Sequence, residues 1–116
     1  MTDVLVEACV ESLDEAVAAE RGGANRLELC ANMAVSGTTP SDDLLIAVKN
    51  AVRIPVSVMI RPRGGSFVHS ATEIVSMHKA IDRANELGAD MFVIGVLEDS
   101  GRVNEPATRA LVRRAG

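Results

Sequence analysis

Apolar residues gather in four short runs, at residues 4–10, 26–31, 55–62 and 91–97. Between and after these runs, apolar positions recur every three or four residues, the spacing of amphipathic helices. Leu13, Ala16 and Val17 share one helical face, and Leu44, Leu45 and Val48 share a second. Ile74, Met77, His78, Ile81, Ala84 and Leu87 form a third. Start signals stand where the periodicity begins. Ser12 with Glu15 and Ser70 with Glu73 have capping-box spacing, Ser41 precedes Asp42 and Asp43, and Pro106 falls in the first turn of a short helix from about Glu105. Gly22-Gly23 and Gly88 supply stops. The order βαβαβαβα predicts an α/β fold with a parallel sheet and right-handed crossovers, in a single domain over residues 1–116.

Within the runs, a period of two separates an apolar face from a polar one. Val4, Val6, Ala8 and Val10 alternate with Leu5, Glu7 and Cys9. Leu27, Leu29 and Ala31 alternate with Arg26, Glu28 and Cys30, and Val56, Val58 and Ile60 with Ser57, Met59, Arg61 and Arg63. A parallel strand covered on both faces is almost wholly apolar, so this polar face is unusual. Glu-x-Cys occurs twice, as Glu7-Ala8-Cys9 and Glu28-Leu29-Cys30, near the carboxyl ends of successive strands. Ligands bind at that end in parallel α/β folds. Carboxylates so deep in a strand are costly unless paired or solvated, and Arg61 and Arg63 are their expected partners. The bland reading is an ion-pair network beside two inert cysteines. The whole set together points instead to a site.

Composition narrows the chemistry. Aromatic residues make up 2% of the 116, so base-stacking platforms and aromatic cages are nearly excluded. A net charge of −4 argues against a nucleic-acid or anionic-membrane partner. The first residues, Met1-Thr2-Asp3-Val4-Leu5, lack the basic start and apolar stretch of a signal peptide, and no apolar run reaches membrane-spanning length. Cys9 and Cys30 are far apart in sequence with no CxxC pair, as in reduced cytosolic chains. A cytoplasmic location is expected.

The polar residues also carry a resemblance. Val6-Glu7-Ala8-Cys9-Val10, the stretch Glu20-Arg21-Gly22-Gly23-Ala24-Asn25-Arg26-Leu27-Glu28-Leu29-Cys30, Gly37-Thr38-Thr39-Pro40-Ser41, and Ile54-Pro55-Val56 through Ile60-Arg61-Pro62-Arg63-Gly64-Gly65 occur in that order. In these segments the chain resembles the N-terminal half of the CutC copper-homeostasis family. The resemblance implies a TIM (β/α)8 barrel, of which this chain supplies the first four βα units. A complete barrel needs about 250 residues and at least about 200, so a half barrel is expected. The resemblance also implies a role in copper handling, with Cys9 and Cys30 matching the cysteines proposed to bind the metal. Two local departures stand out. Ala34-Val35-Ser36-Gly37 replaces a run more often Glu-Gly-Gly, and Ser66 stands where Asp is usual.

Three functional readings follow. In the first, Cys9 and Cys30 bind copper(I), with Met59 on the same face as a further soft donor. In the second, the chain is a small-molecule enzyme. Glu7 and Glu28 are then its catalytic acid and base, and Arg61 and Arg63 bind a small anionic ligand. In the third, the half barrel is inactive alone, because its edge strands are open and its inner face is incomplete. It then requires a homo-oligomeric partner or a missing second half. His78 reads as a helix-packing residue, while His69, in the loop after Gly64-Gly65, stands nearer a site.

Overall fold

Side-chain caps set where each helix begins. Ser12 Oγ accepts the Glu15 amide, Ser41 Oγ that of Leu44, Ser70 Oγ that of Glu73 and Asn104 Oδ1 that of Ala107, each at 3.1 Å. Each bond satisfies an N–H that has no partner inside its helix. The Ser70 box is reciprocal, since Glu73 Oε1 accepts the Ser70 amide at 2.8 Å. The return bond from Glu15 differs from the expected box. Its Oε1 takes the amide of Glu11, one residue before the cap, at 2.8 Å.

The computed structural model describes residues 3–116; Met1 and Thr2, part of the stretch read above as lacking a leader, lie outside the described residues. The elements run β1 (Glu7–Val10), α1 (Leu13–Arg21), β2 (Arg26–Leu29), α2 (Asp42–Ala51), β3 (Val56–Met59), α3 (Ala71–Glu86), β4 (Met91–Val93) and α4 (Glu105–Ala115). One turn of 3-10 helix, Met33–Val35, interrupts the loop between β2 and α2. No helix among the described residues is long and apolar enough to cross a membrane.

All three strand pairs are parallel, in the order β1-β2-β3-β4. Consecutive right-handed crossovers in one direction place every helix on the same face of the sheet. A doubly wound sheet would instead reverse its order part-way and carry helices on both faces. The architecture is therefore the first four βα units of a barrel. The strands are shorter than the apolar runs that predict them. Val4, Leu5 and Val6 precede β1 and are 70%, 63% and 56% exposed, on an edge that pairs only with β2.

The core lies between the sheet and its helices. Leu27, Leu29, Val56 and Val58 face Ala16, Val48, Met77, Ile81 and Leu111 from the helical layer, and all are buried. The period-two faces thus fall as the pattern predicts. Leu13 is the exception among the predicted helix-face positions, standing 38% exposed. The opposite face of the sheet carries Glu7, Cys9, Arg26, Glu28, Ser57 and Met59, the inner wall of the barrel.

Candidate metal centre

Parallel pairing brings the two Glu-x-Cys segments together with an offset. Cys9 lies opposite Glu28 in the β1–β2 register, and the Cys30 amide donates to the Val10 carbonyl at 3.0 Å. Cys30 therefore sits just beyond Cys9 toward the strand ends. The two Sγ atoms are 3.6 Å apart, and Cys30 Sγ is 3.6 Å from Glu28 Oε1. One donor atom from each of Cys9, Glu28 and Cys30 falls within 4.8 Å of the others. Cys9 is exposed and Cys30 buried.

Electrostatics oppose ionisation at the deeper thiol. Burial pushes the Cys30 thiol far above its ordinary value, and the neighbouring Cys9 and Glu28 push the same way. Glu28 Oε1 lies within reach of the Cys30 thiol and can accept its S–H. A cluster of two thiols and a carboxylate that resists a second negative charge is one that a cation would relieve.

A third sulfur completes the group, from an unexpected place. Met33 Sδ lies 3.7 Å from Cys9 Sγ. Met59 shares the inner face, but its sulfur reaches neither thiol within hydrogen-bonding range among the described residues. Strand parity pointed to Met59. Met33 has no parity signal, because it sits in the 3-10 turn after β2.

The candidate acids and arginines separate. Glu7 pairs with Arg26, its register neighbour, at 2.9 Å, rather than with Arg61 or Arg63. Arg61 is 4% exposed and donates from Nη1 to the carbonyls of Val35 (2.7 Å) and Gly37 (2.9 Å) and from Nη2 to that of Gly65 (2.8 Å). The Phe67 ring covers its guanidinium at 4.6 Å. Arg63 forms a two-point pair with Glu73, Nε to Oε2 at 2.6 Å and Nη2 to Oε1 at 3.0 Å, and also binds the carbonyls of Gly64, Ser66 and Val68. The expectation that these arginines neutralise Glu7 and Glu28 is thus corrected. Each guanidinium finds nearer acceptors in the loops it follows. Neither presents a free fork to an anion. Arg61 is shielded from solvent, and the fork of Arg63 is filled by Glu73.

The loops explain two of the glycines. A Cβ at Gly64 would lie 2.9 Å from Val35 Cβ, so the loop after β3 packs against the 3-10 turn only without a side chain there. Gly37 has φ +95°, a conformation that favours glycine, and a Cβ on it would come into contact with Cys30 and Met33. His69 is buried edge-on to Phe67, with Nδ1 3.8 Å from Glu73 Oε1, apart from the sulfur cluster. Burial, then the charge of Arg63, lowers its pKa.

A family profile decides the lineage: that of the CutC family matches residues 4–116. The chain belongs to the CutC family. It is 48% identical to the human copper homeostasis protein cutC homolog over 108 residues, 93% of this chain and 40% of that protein. A CutC family protein of Bacteroides fragilis is 41% identical over 113 residues, covering 97% of this chain and 45% of its own length. The crystal structure of a CutC protein from Streptococcus agalactiae superposes with a TM-score of 0.90 at 36% identity, covering 97% of this chain and 55% of that one. An N-acetylmannosamine-6-phosphate 2-epimerase from Clostridium perfringens, TM-score 0.55 and 19% identity, covers 96% of this chain and 43% of its own and shares the fold alone. The chain spans 40% to 46% of the length of these curated relatives. Within the CutC barrel, β4 is where a fifth strand would add. A groove lined by Met91, Phe92, Ile94, Leu111 and Ala115 lies along that edge, separated by β3 from the strands that carry the sulfur cluster.

Proposed function

We propose that this chain carries a copper(I) site of a CutC-type copper-homeostasis protein, with Cys9 and Cys30 as thiolate ligands. The observation that carries this reading is the 3.6 Å separation of the two Sγ atoms on adjacent strands. Thiolate and thioether donors select soft monovalent copper, whereas hard cations prefer an oxygen shell. The human relative's name ties that protein to copper homeostasis.

The chain's own residues account for the proton balance. Cys9 is solvent-accessible and meets the incoming ion. Cys30 must lose its proton on binding, and Glu28 is placed to receive it and pass it to solvent. The carboxylate then remains beside the metal as a counter-charge or a weak donor. Arg61 and Arg63 hold the surrounding loops and do not touch the metal.

Copper-edge X-ray absorption on anaerobically reduced protein loaded with one equivalent of Cu(I) tests the reading. Sulfur scatterers in the first shell are expected in the wild type and absent in Cys9→Ser/Cys30→Ser. A first shell of oxygen and nitrogen alone in the wild type would overturn it.

A further inference from the structure

We infer that Met33 is a third ligand of this centre, so that the chain offers Cu(I) two thiolates and one thioether. This rests on the copper(I) reading of Cys9 and Cys30 and specifies its coordination. Cys9 Sγ lies between two other sulfurs, 3.6 Å from Cys30 and 3.7 Å from Met33. A single point beside Gly37 is 3.5 Å from Cys30 Sγ and 3.6 Å from Met33 Sδ. Cys30 and Met33 thus both border the space that Gly37 leaves open by having no side chain, and Cys9 is in contact with each of their sulfurs.

The loop holds Met33 there by contacts at both ends. Glu11 Oε2 accepts the Met33 amide at 3.0 Å, tying the 3-10 turn to the residue that follows β1. Ala31 and Thr38 close the loop with reciprocal backbone bonds of 2.9 and 2.7 Å, and Asn32 Nδ2 donates to Thr38 Oγ1 at 2.9 Å. The Arg61 guanidinium fixes the carbonyls of Val35 and Gly37 on the far side. Asn32 and Ser36 flank the turn at φ 52° and 69°, left-handed values that asparagine tolerates and that are uncommon for serine. Met33 is 38% exposed, yet its sulfur is turned toward Cys9. From Met33 and Cys9 at the surface to buried Cys30, the sulfurs descend from solvent into the barrel wall. A soft ion can therefore be captured first by the exposed donors and then seated by Cys30.

A methionine that only packs is replaceable by leucine, which conserves volume. A ligand is not. Copper-edge absorption is expected to show three sulfurs around Cu(I) in the wild type and two in Met33→Leu. The Cu(I) dissociation constant, read by competition with a chromophoric chelator, is expected to weaken at least about tenfold in Met33→Leu, no less than the loss of an outer-shell partner costs. Met59→Leu is the matched control and should leave both readouts unchanged. Selenomethionine-labelled protein gives a readout that does not depend on the folding of Met33→Leu: copper–selenium scattering that persists in Met59→Leu. Two sulfurs in the wild type, no selenium scattering and wild-type affinity in Met33→Leu would overturn the Met33 assignment while leaving Cys9 and Cys30 in place. A wild-type shell without sulfur would overturn both.

Discussion

Arg61 and Arg63 are surrounded by acceptors, whereas Cys9, Cys30 and Glu28 are surrounded chiefly by one another. Both groups lie toward the carboxyl end of the sheet, and both read in the sequence as parts of one polar site. The arginine loop is tied together by its own acceptors, with Arg61 Nε alone of the Arg61 guanidinium nitrogens left buried without a partner. Its guanidinium groups are matched to backbone carbonyls, to Glu73 and to the Phe67 ring. The sulfur cluster is not complete. The buried Cys30 thiol leans on a carboxylate, Cys9 Sγ stands 3.6 Å from it, and Met33 Sδ reaches in from the 3-10 turn to 3.7 Å from Cys9. Guanidinium groups held by fixed loop acceptors make a frame and soft donors turned toward one another make a site, although the residue types alone suggest equal candidates.

Removing a frame residue breaks this comparison most severely. Arg61→Ala leaves the carbonyls of Val35, Gly37 and Gly65 without their donor, inside a region where the guanidinium is 4% exposed. Leaving a buried acceptor without its donor costs about 1–3 kcal/mol, and urea unfolding should show a loss of at least that size. A loss near zero would mean that the loops hold themselves and the frame is not a frame.

On the site side, the raised Cys30 pKa sets a pH dependence. The thiol is protonated across the neutral range, so Cu(I) binding must displace its proton. Affinity should tighten about tenfold per pH unit between pH 6 and 8 for that one proton, read by competition titration. Cys30→Ser should remove that portion of the slope.

The frame responds to acid instead. Glu73 is held at about 2, below its ordinary 4.5, first by its hydrogen bonds to Arg63 and then by the Ser70 amide. A carboxylate with a lowered folded pKa contributes stability that is fully present above its unfolded value and is lost as the pH falls toward the folded one. Denaturation midpoints should therefore drop between about pH 4.5 and 2, and Glu73→Gln should flatten that drop. Copper affinity at pH 7 should be unchanged in the same variant.

The smallest expected effect lies where the two regions meet. Ser36 adopts φ 69°, a conformation that costs a side-chain-bearing residue about 1–2 kcal/mol, of which glycine's greater unfolded freedom offsets about 0.5–1. Ser36→Gly should stabilise the metal-free chain by up to about 1 kcal/mol in urea. Unchanged stability would mean that the turn relaxes in solution.

How legible each region was in the sequence follows from the same physics. Helix starts were readable because capping needs particular side chains at fixed spacing, as at Ser41 and Ser70. Strand faces were readable because parity is fixed by the backbone, and parity puts Cys9, Glu28 and Cys30 on one wall. The arginine partners were not readable. A long side chain selects among acceptors on loops whose path depends on left-handed residues such as Asn32 and Ser36, and periodicity says nothing about them. Met33 was missed for the same reason, whereas Met59 carried the parity signal and its sulfur stays out of range of both thiols.

The most direct test sets one region against the other in a single experiment. Cu(I) dissociation constants are measured by chelator competition on the reduced wild type, on Cys9→Ser/Cys30→Ser and on Arg63→Lys. A copper(I) site on Cys9 and Cys30 requires that the double variant weaken binding by more than the roughly 10–100-fold that loss of an outer-shell partner costs, while Arg63→Lys stays within about threefold of wild type. Equal affinities for the double variant and the wild type, or a loss confined to Arg63→Lys, would contradict it.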